Sequence, residues 1–110
     1  MDKMINKEEF KQYLDDFNKI LPVGEVELEV AGLNIGDELS TEWVVLNSIN
    51  YDPKSDEIVV DLSDGYQHTI LNPVELVVEE DDQGIHSFTV KCTHGHLHII
   101  KFKKVLALPE

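Results

Sequence analysis

One feature constrains this chain more than any other: its oily residues change period at Gly24, from every third or fourth position to every second. Before that point Phe10, Tyr13, Leu14, Phe17 and Ile20 fall on one stripe of a helix predicted over residues 7–20, with Lys7, Glu8, Lys11, Asp15, Asp16 and Lys19 on the other side. Asn6 and Glu9 have the spacing of a capping box, and Pro22 and Gly24 supply the stop. A helix of about four turns does not persist alone in water, so its aromatic stripe needs a surface to cover.

After Gly24 apolar and polar residues alternate. Val26, Leu28 and Val30 interleave with three glutamates, and Ile58, Val60 and Leu62 predict the inward face of a second strand. Phe88, Val90 and Cys92 do the same for a third. Turn signals stand between the runs: Asp52-Pro53-Lys54-Ser55-Asp56, Ser63-Asp64-Gly65, Asn72-Pro73, Asp81-Asp82-Gln83-Gly84 and Thr93-His94-Gly95. Connections this short rule out βαβ crossovers, which need a dozen residues or more. The expectation is therefore an α+β fold, with the N-terminal amphipathic helix packed on a strongly bent antiparallel meander of five to six strands. Periodicity leaves open whether such a sheet closes into a small SH3-like or Sm-like barrel. No internal repeat, linker or low-complexity stretch is read. The 110 residues fit a single domain spanning 1–110, with its ordered core at about 6–104.

Charge narrows the function classes. Twenty-two acidic residues face nine basic ones, a net of −13, and every basic residue is lysine. A polyanion without arginine is repelled by phosphate backbones and anionic lipid, and lacks the planar fork that grips phosphates and guanine edges. Neither nucleic acid nor membrane is expected as a partner. Lys101, Lys103 and Lys104 read as a solvated strand end. No apolar run spans a bilayer, no secretory h-region opens the sequence, and one cysteine cannot form an internal disulfide, so the chain reads as cytoplasmic.

The residues carrying chemistry lie in Cys92-Thr93-His94-Gly95-His96-Leu97-His98. His96 and His98 share a strand face, His94 sits on the turn, and the three form a candidate site for zinc or copper. Cys92 follows Phe88 and Val90 in parity and reads as an inert core thiol. The clustered aspartates match no calcium loop, and no nucleophile elbow or phosphate-cradling glycine loop is present. No cofactor is expected. Trp43 and Tyr51, at even spacing, are a candidate recognition face.

The order of features, from Glu9-Phe10…Leu14…Phe17 through Val26-Glu27-Leu28-Glu29-Val30 and Tyr51-Asp52-Pro53-Lys54-Ser55-Asp56 to His68, Pro73 and Lys101-Phe102, resembles a family of small bacterial proteins of unknown function. Two departures are Ser48, where a glycine is usual, and the lack of a tryptophan just before the first strand. The resemblance implies no activity, but directs attention to Asp52, Lys54, Asp56 and His68. With Trp43 and Tyr51 these are the candidate interaction residues. The leading expectation is a non-enzymatic protein-interaction or accessory domain. A histidine-based metal-binding protein and an acidic nucleic-acid mimic binding a basic partner are the alternatives.

Overall fold

A computed structural model describes residues 2–20, 25–32, 36–63, 65–93 and 95–106, with the side chains of 25, 30–43 and 104–106 outside that description. One helix and eight strands follow in order: β1 (Asp2–Ile5), a 3₁₀ turn (Lys7–Glu9), α1 (Phe10–Ile20), β2 (Glu25–Gly32), β3 (Gly36–Asp52), β4 (Glu57–Leu62), β5 (Gln67–Leu71), β6 (Pro73–Asp81), β7 (Gly84–Cys92) and β8 (Leu97–Leu106). The α+β class is as expected, and every ladder is antiparallel. The sheet holds eight strands rather than five or six, in the order β1-β6-β7-β8-β2-β3-β4-β5. It therefore consists of two meanders, β2 to β5 and β6 to β8, joined where β8 pairs with β2. Among the described residues no helix is long and apolar enough to cross a membrane.

The extra strands have distinct causes. The short β1 shows no alternation of its own and pairs with β6, Ile5 opposite Leu76, so the ordered chain begins before residue 6. The long β3 serves two leaves of the sheet: up to Val45 it pairs with β2, and from Leu46 with β4. The sheet is strongly bent, since His68 of β5 touches His98 of β8 across three intervening strands. Even so it does not close into a barrel: β5 and β6 are separated only by Asn72, yet β5 remains an edge.

The helix seals the bend. Phe10, Leu14 and Phe17 are buried, with Phe10 edge-on to Tyr51 at 5.5 Å and Phe17 edge-on to Phe88 at 4.9 Å. The capping box does not form. Asn6 precedes a 3₁₀ turn and makes no side-chain cap; instead the Glu9 N–H donates to the Asn6 carbonyl at 2.8 Å, a three-residue bond that replaces the cap. The stop residues Pro22 and Gly24 lie outside the described residues.

Strand register reveals an internal repeat that simple inspection of the sequence does not. The pairs Leu46–Leu62, Ser48–Asp61, Ile49–Val60 and Tyr51–Ile58 of β3 and β4 recur as Pro73–Cys92, Glu75–Lys91, Leu76–Val90 and Val78–Phe88 of β6 and β7, with the bulge after the first pair preserved. Between β4 and β5, Ile58–Ile70 and Val60–His68 recur as Phe88–Ile100 and Val90–His98 of β7 and β8. The turns match bond for bond. Leu62 N–H donates to Tyr66 C=O at 3.0 Å as Cys92 N–H donates to His96 C=O at 3.1 Å; Ser63 N–H donates to Val45 C=O as Thr93 N–H donates to Asn72 C=O. Gly65 and Gly95 hold equivalent left-handed positions, at φ +89° and +84°, which glycine adopts without strain. Two copies of one three-stranded unit therefore face each other.

The copies differ at one edge in a way that yields a prediction. Leu76 is paired by β1, whereas its counterpart Ile49 has its backbone bridged by a side chain. Asn18 accepts from the Ile49 N–H at 3.0 Å and donates to the Ile49 carbonyl at 2.9 Å, in the manner of a neighbouring strand. Replacing Asn18 by alanine removes both bonds and leaves a part-buried peptide unsatisfied, so an unfolding cost of about 1–3 kcal/mol is expected in urea melts. A loss under a few tenths of a kcal/mol would show that water replaces Asn18 freely.

Candidate metal centre

The repeat explains why two histidines distant in sequence meet. His68 and His98 hold the same place in the two units, thirty residues apart, and the bend brings their rings together with centroids 5.0 Å apart. His68 Nε2 and His98 Nδ1 are 2.8 Å apart, a hydrogen bond whose donor depends on tautomer.

Around His98 the second unit carries chemistry that the first lacks. Inward parity continues across the β7–β8 turn, so Cys92, His96 and His98 share one face of the hairpin, and one sulfur or ring nitrogen from each lies within 4.8 Å of the others. Cys92 and His98 are 5% and 8% exposed, and His96 is half-buried at the mouth. Their counterparts in the first unit are Leu62, Tyr66 and His68, so one repeat has three donors where the other has one. Ligand lengths of about 2.0–2.3 Å put tetrahedral donors about 3.3–3.6 Å apart, so donors already within 4.8 Å of one another need close by no more than about 1.5 Å to hold one ion.

The electrostatics favour an unprotonated His98. Burial, then the neighbouring His68 and His96, pushes the His98 pKa down to about 4, and burial lowers that of His68. Both imidazoles are therefore neutral near pH 7, the form that coordinates a metal.

Of the sequence-based metal residues, His96 and His98 converge, while His94 lies outside the described residues. Cys92 is buried as expected, but it joins the histidines rather than standing apart in the core. The even numbering of 92, 96 and 98 does not by itself foretell this, because the turn lies between Cys92 and Leu97 and strand parity holds only within a strand.

The candidate interaction residues divide between two places. Tyr51 donates its hydroxyl to Asp56 Oδ1 at 2.7 Å, and Lys7 closes on the same carboxylate at 3.0 Å. The hydrogen bond to Asp56 foremost, then burial, raises the Tyr51 pKa to about 12, while Tyr51 and then Lys7 lower that of Asp56. Asp52 Oδ1 accepts from the Lys54 N–H at 2.9 Å, an Asx turn, and Asp56 adopts φ +54°. These groups hold the β3–β4 turn together and pin it to the start of the helix; His68 lies instead against His98. The side chain of Trp43 lies outside the described residues. The bulge beyond Leu46 shifts parity along β3, so Leu46 and Ile49, three apart, are both buried.

The comparisons with known proteins bear out the resemblance. No solved structure matches the chain. A bacterial relative, an uncharacterized protein of Aquifex aeolicus (strain VF5), is 37% identical over 108 residues, covering 98% of this chain and 97% of its own length. A family model described as "Family of unknown function (DUF5335)" matches residues 1–110, and the chain belongs to that family.

Proposed function

We propose that this protein binds a transition-metal ion of the zinc class through Cys92, His96 and His98. The observation that carries the reading is the convergence of a thiol and two imidazoles on one hairpin face, largely shielded from water. A sulfur and two imidazole nitrogens suit Zn²⁺ or Cu⁺ and are a poor match for Ca²⁺ or Mg²⁺, which take oxygen ligands. This reading takes precedence over the protein-interaction role expected from sequence, because Tyr51, Asp52 and Asp56 are engaged with their own turn and helix.

Calorimetric titration of the chelator-stripped full chain with Zn²⁺ tests it. One ion per chain is expected, with a dissociation constant of micromolar order or tighter, about 8 kcal/mol of binding. Cys92→Ser, His96→Ala and His98→Ala should each weaken it at least tenfold. Binding no tighter than millimolar, or equal binding by the variants, would discard the reading and point to surface groups such as His86 and Asp81, which lie 2.7 Å apart.

A further inference from the structure

Resting on the metal-binding reading above, we infer that His68 is a positioning residue: it holds His98 in the tautomer that presents Nε2 to the ion, and the coordination sphere keeps one place open for a ligand from outside the chain. The donors that converge are those of Cys92, His96 and His98, and His68 reaches them through His98. Because His98 Nδ1 is engaged with His68 Nε2 at 2.8 Å, the ring nitrogen left for an ion is Nε2. A nitrogen that coordinates must carry a bare lone pair, so metal binding selects the arrangement in which His98 Nδ1–H donates and His68 Nε2 accepts. The opposite tautomer puts the proton on His98 Nε2 and blocks the site.

Direct ligation by His68 is the competing arrangement, and the geometry disfavours it. Two ring nitrogens bound to one tetrahedral ion stand about 3.3 Å apart with their lone pairs converging on it, whereas these two point at each other and share a proton. Three protein ligands, those that converge among the described residues, leave a tetrahedral ion with a fourth position, and the half-buried side of His96 is where a water or small anion would enter. The internal repeat makes the same point. The first unit carries Leu62 and Tyr66 where the second has Cys92 and His96, so it contributes to the site only the histidine that its symmetry brings against His98.

Co²⁺ serves as the spectroscopic probe, added to the full chain and to His68→Ala and His68→Gln. In the wild type a thiolate-to-cobalt charge-transfer band and tetrahedral d–d bands are expected, with the d–d bands shifting when azide is added. His68→Ala should keep the charge-transfer band but weaken affinity by roughly 10- to 100-fold. His68→Gln, whose side-chain oxygen accepts from Nδ1–H, should recover most of that loss. Long-range ¹H–¹⁵N spectra of the Zn²⁺-loaded wild type should place the His98 proton on Nδ1, a readout that does not depend on any variant folding. Unchanged affinity in His68→Ala, loss of a nitrogen ligand from its cobalt spectrum, indifference to azide, or a proton elsewhere on His98 would overturn the inference while leaving the metal site standing. No charge-transfer band in the wild type would overturn both.

Discussion

Replacing Phe88 by alanine should cost about 3–5 kcal/mol of unfolding free energy, a large share of the 5–15 kcal/mol that holds a domain of this kind together. Phe88 is fully buried between the helix and the β6–β8 half of the sheet. Its ring stands edge-on to Phe17 at 4.9 Å, Phe102 at 5.7 Å and Tyr13 at 6.3 Å, so truncation removes apolar area and several aromatic contacts together. Surrounding strands are tied by ladders on both sides of β7 and can collapse little into the space left behind. Phe88→Leu fills much of that volume and should lose less than half as much. The helix contact can be isolated by combining Phe88→Ala with Phe17→Ala, because touching residues couple by about 0.5–3 kcal/mol in a double-mutant cycle. Urea unfolding monitored by far-ultraviolet circular dichroism measures all five proteins. A loss below about 1 kcal/mol for Phe88→Ala, or additive effects with Phe17→Ala, would mean that α1 is not seated on β7 as described.

What could be read from the sequence was local parity. The inward set Ile58, Val60, Leu62 and the set Phe88, Val90, Cys92 are buried as alternation implies, as are Phe10, Leu14 and Phe17 on the helical stripe. Parity says nothing about partners beyond the nearest turn. The strand Asp2–Ile5 exists because β6 offers it an edge, and four residues with two charges carry no strand signal of their own. The bulge in β3 inserts a residue without any glycine or proline to announce it, so an even-spacing rule applied across it fails. The repeat was hidden for a related reason. Val60, Gly65, His68 and Ile70 match Val90, Gly95, His98 and Ile100, but few other residues are shared, and the preceding hairpin has longer arms in the second copy, ten positions from Val78 to Phe88 against seven from Tyr51 to Ile58. Burial of Cys92 was legible; that burial and ligation use the same inward direction was not, since it depends on how the hairpin turns. The meeting of His68 with His98 needed the bend of the whole sheet.

Acid should weaken the metal-free fold through His98 well before the bulk of the carboxylates titrate. Its folded pKa of about 4 lies below the ordinary 6.5, so the unfolded chain takes up a proton on descending through pH 6.5 and the folded chain does not until about pH 4. Between those values the unfolded state binds more protons, and stability must therefore fall as pH falls, with the contribution intact above 6.5 and lost by about 4. His68, lowered by burial as well, acts in the same direction. For a shift of this size the loss near pH 5 is about 2 kcal/mol relative to pH 7.5. A second effect opposes it: a chain of net charge −13 repels itself, and protonating carboxylates relieves that strain as acid is added. The raw pH profile mixes the two, so the decisive quantity is the difference between wild type and His98→Gln, in which the carboxylates cancel. With chelator present to strip any ion from Cys92, His96 and His98, urea melts at pH 7.5 and 5 should show the wild-type advantage over the glutamine variant shrinking by about 2 kcal/mol. A difference that stays constant across that interval would mean that His98 is solvated in the folded chain, and the enclosed face on which the metal reading depends would go with it.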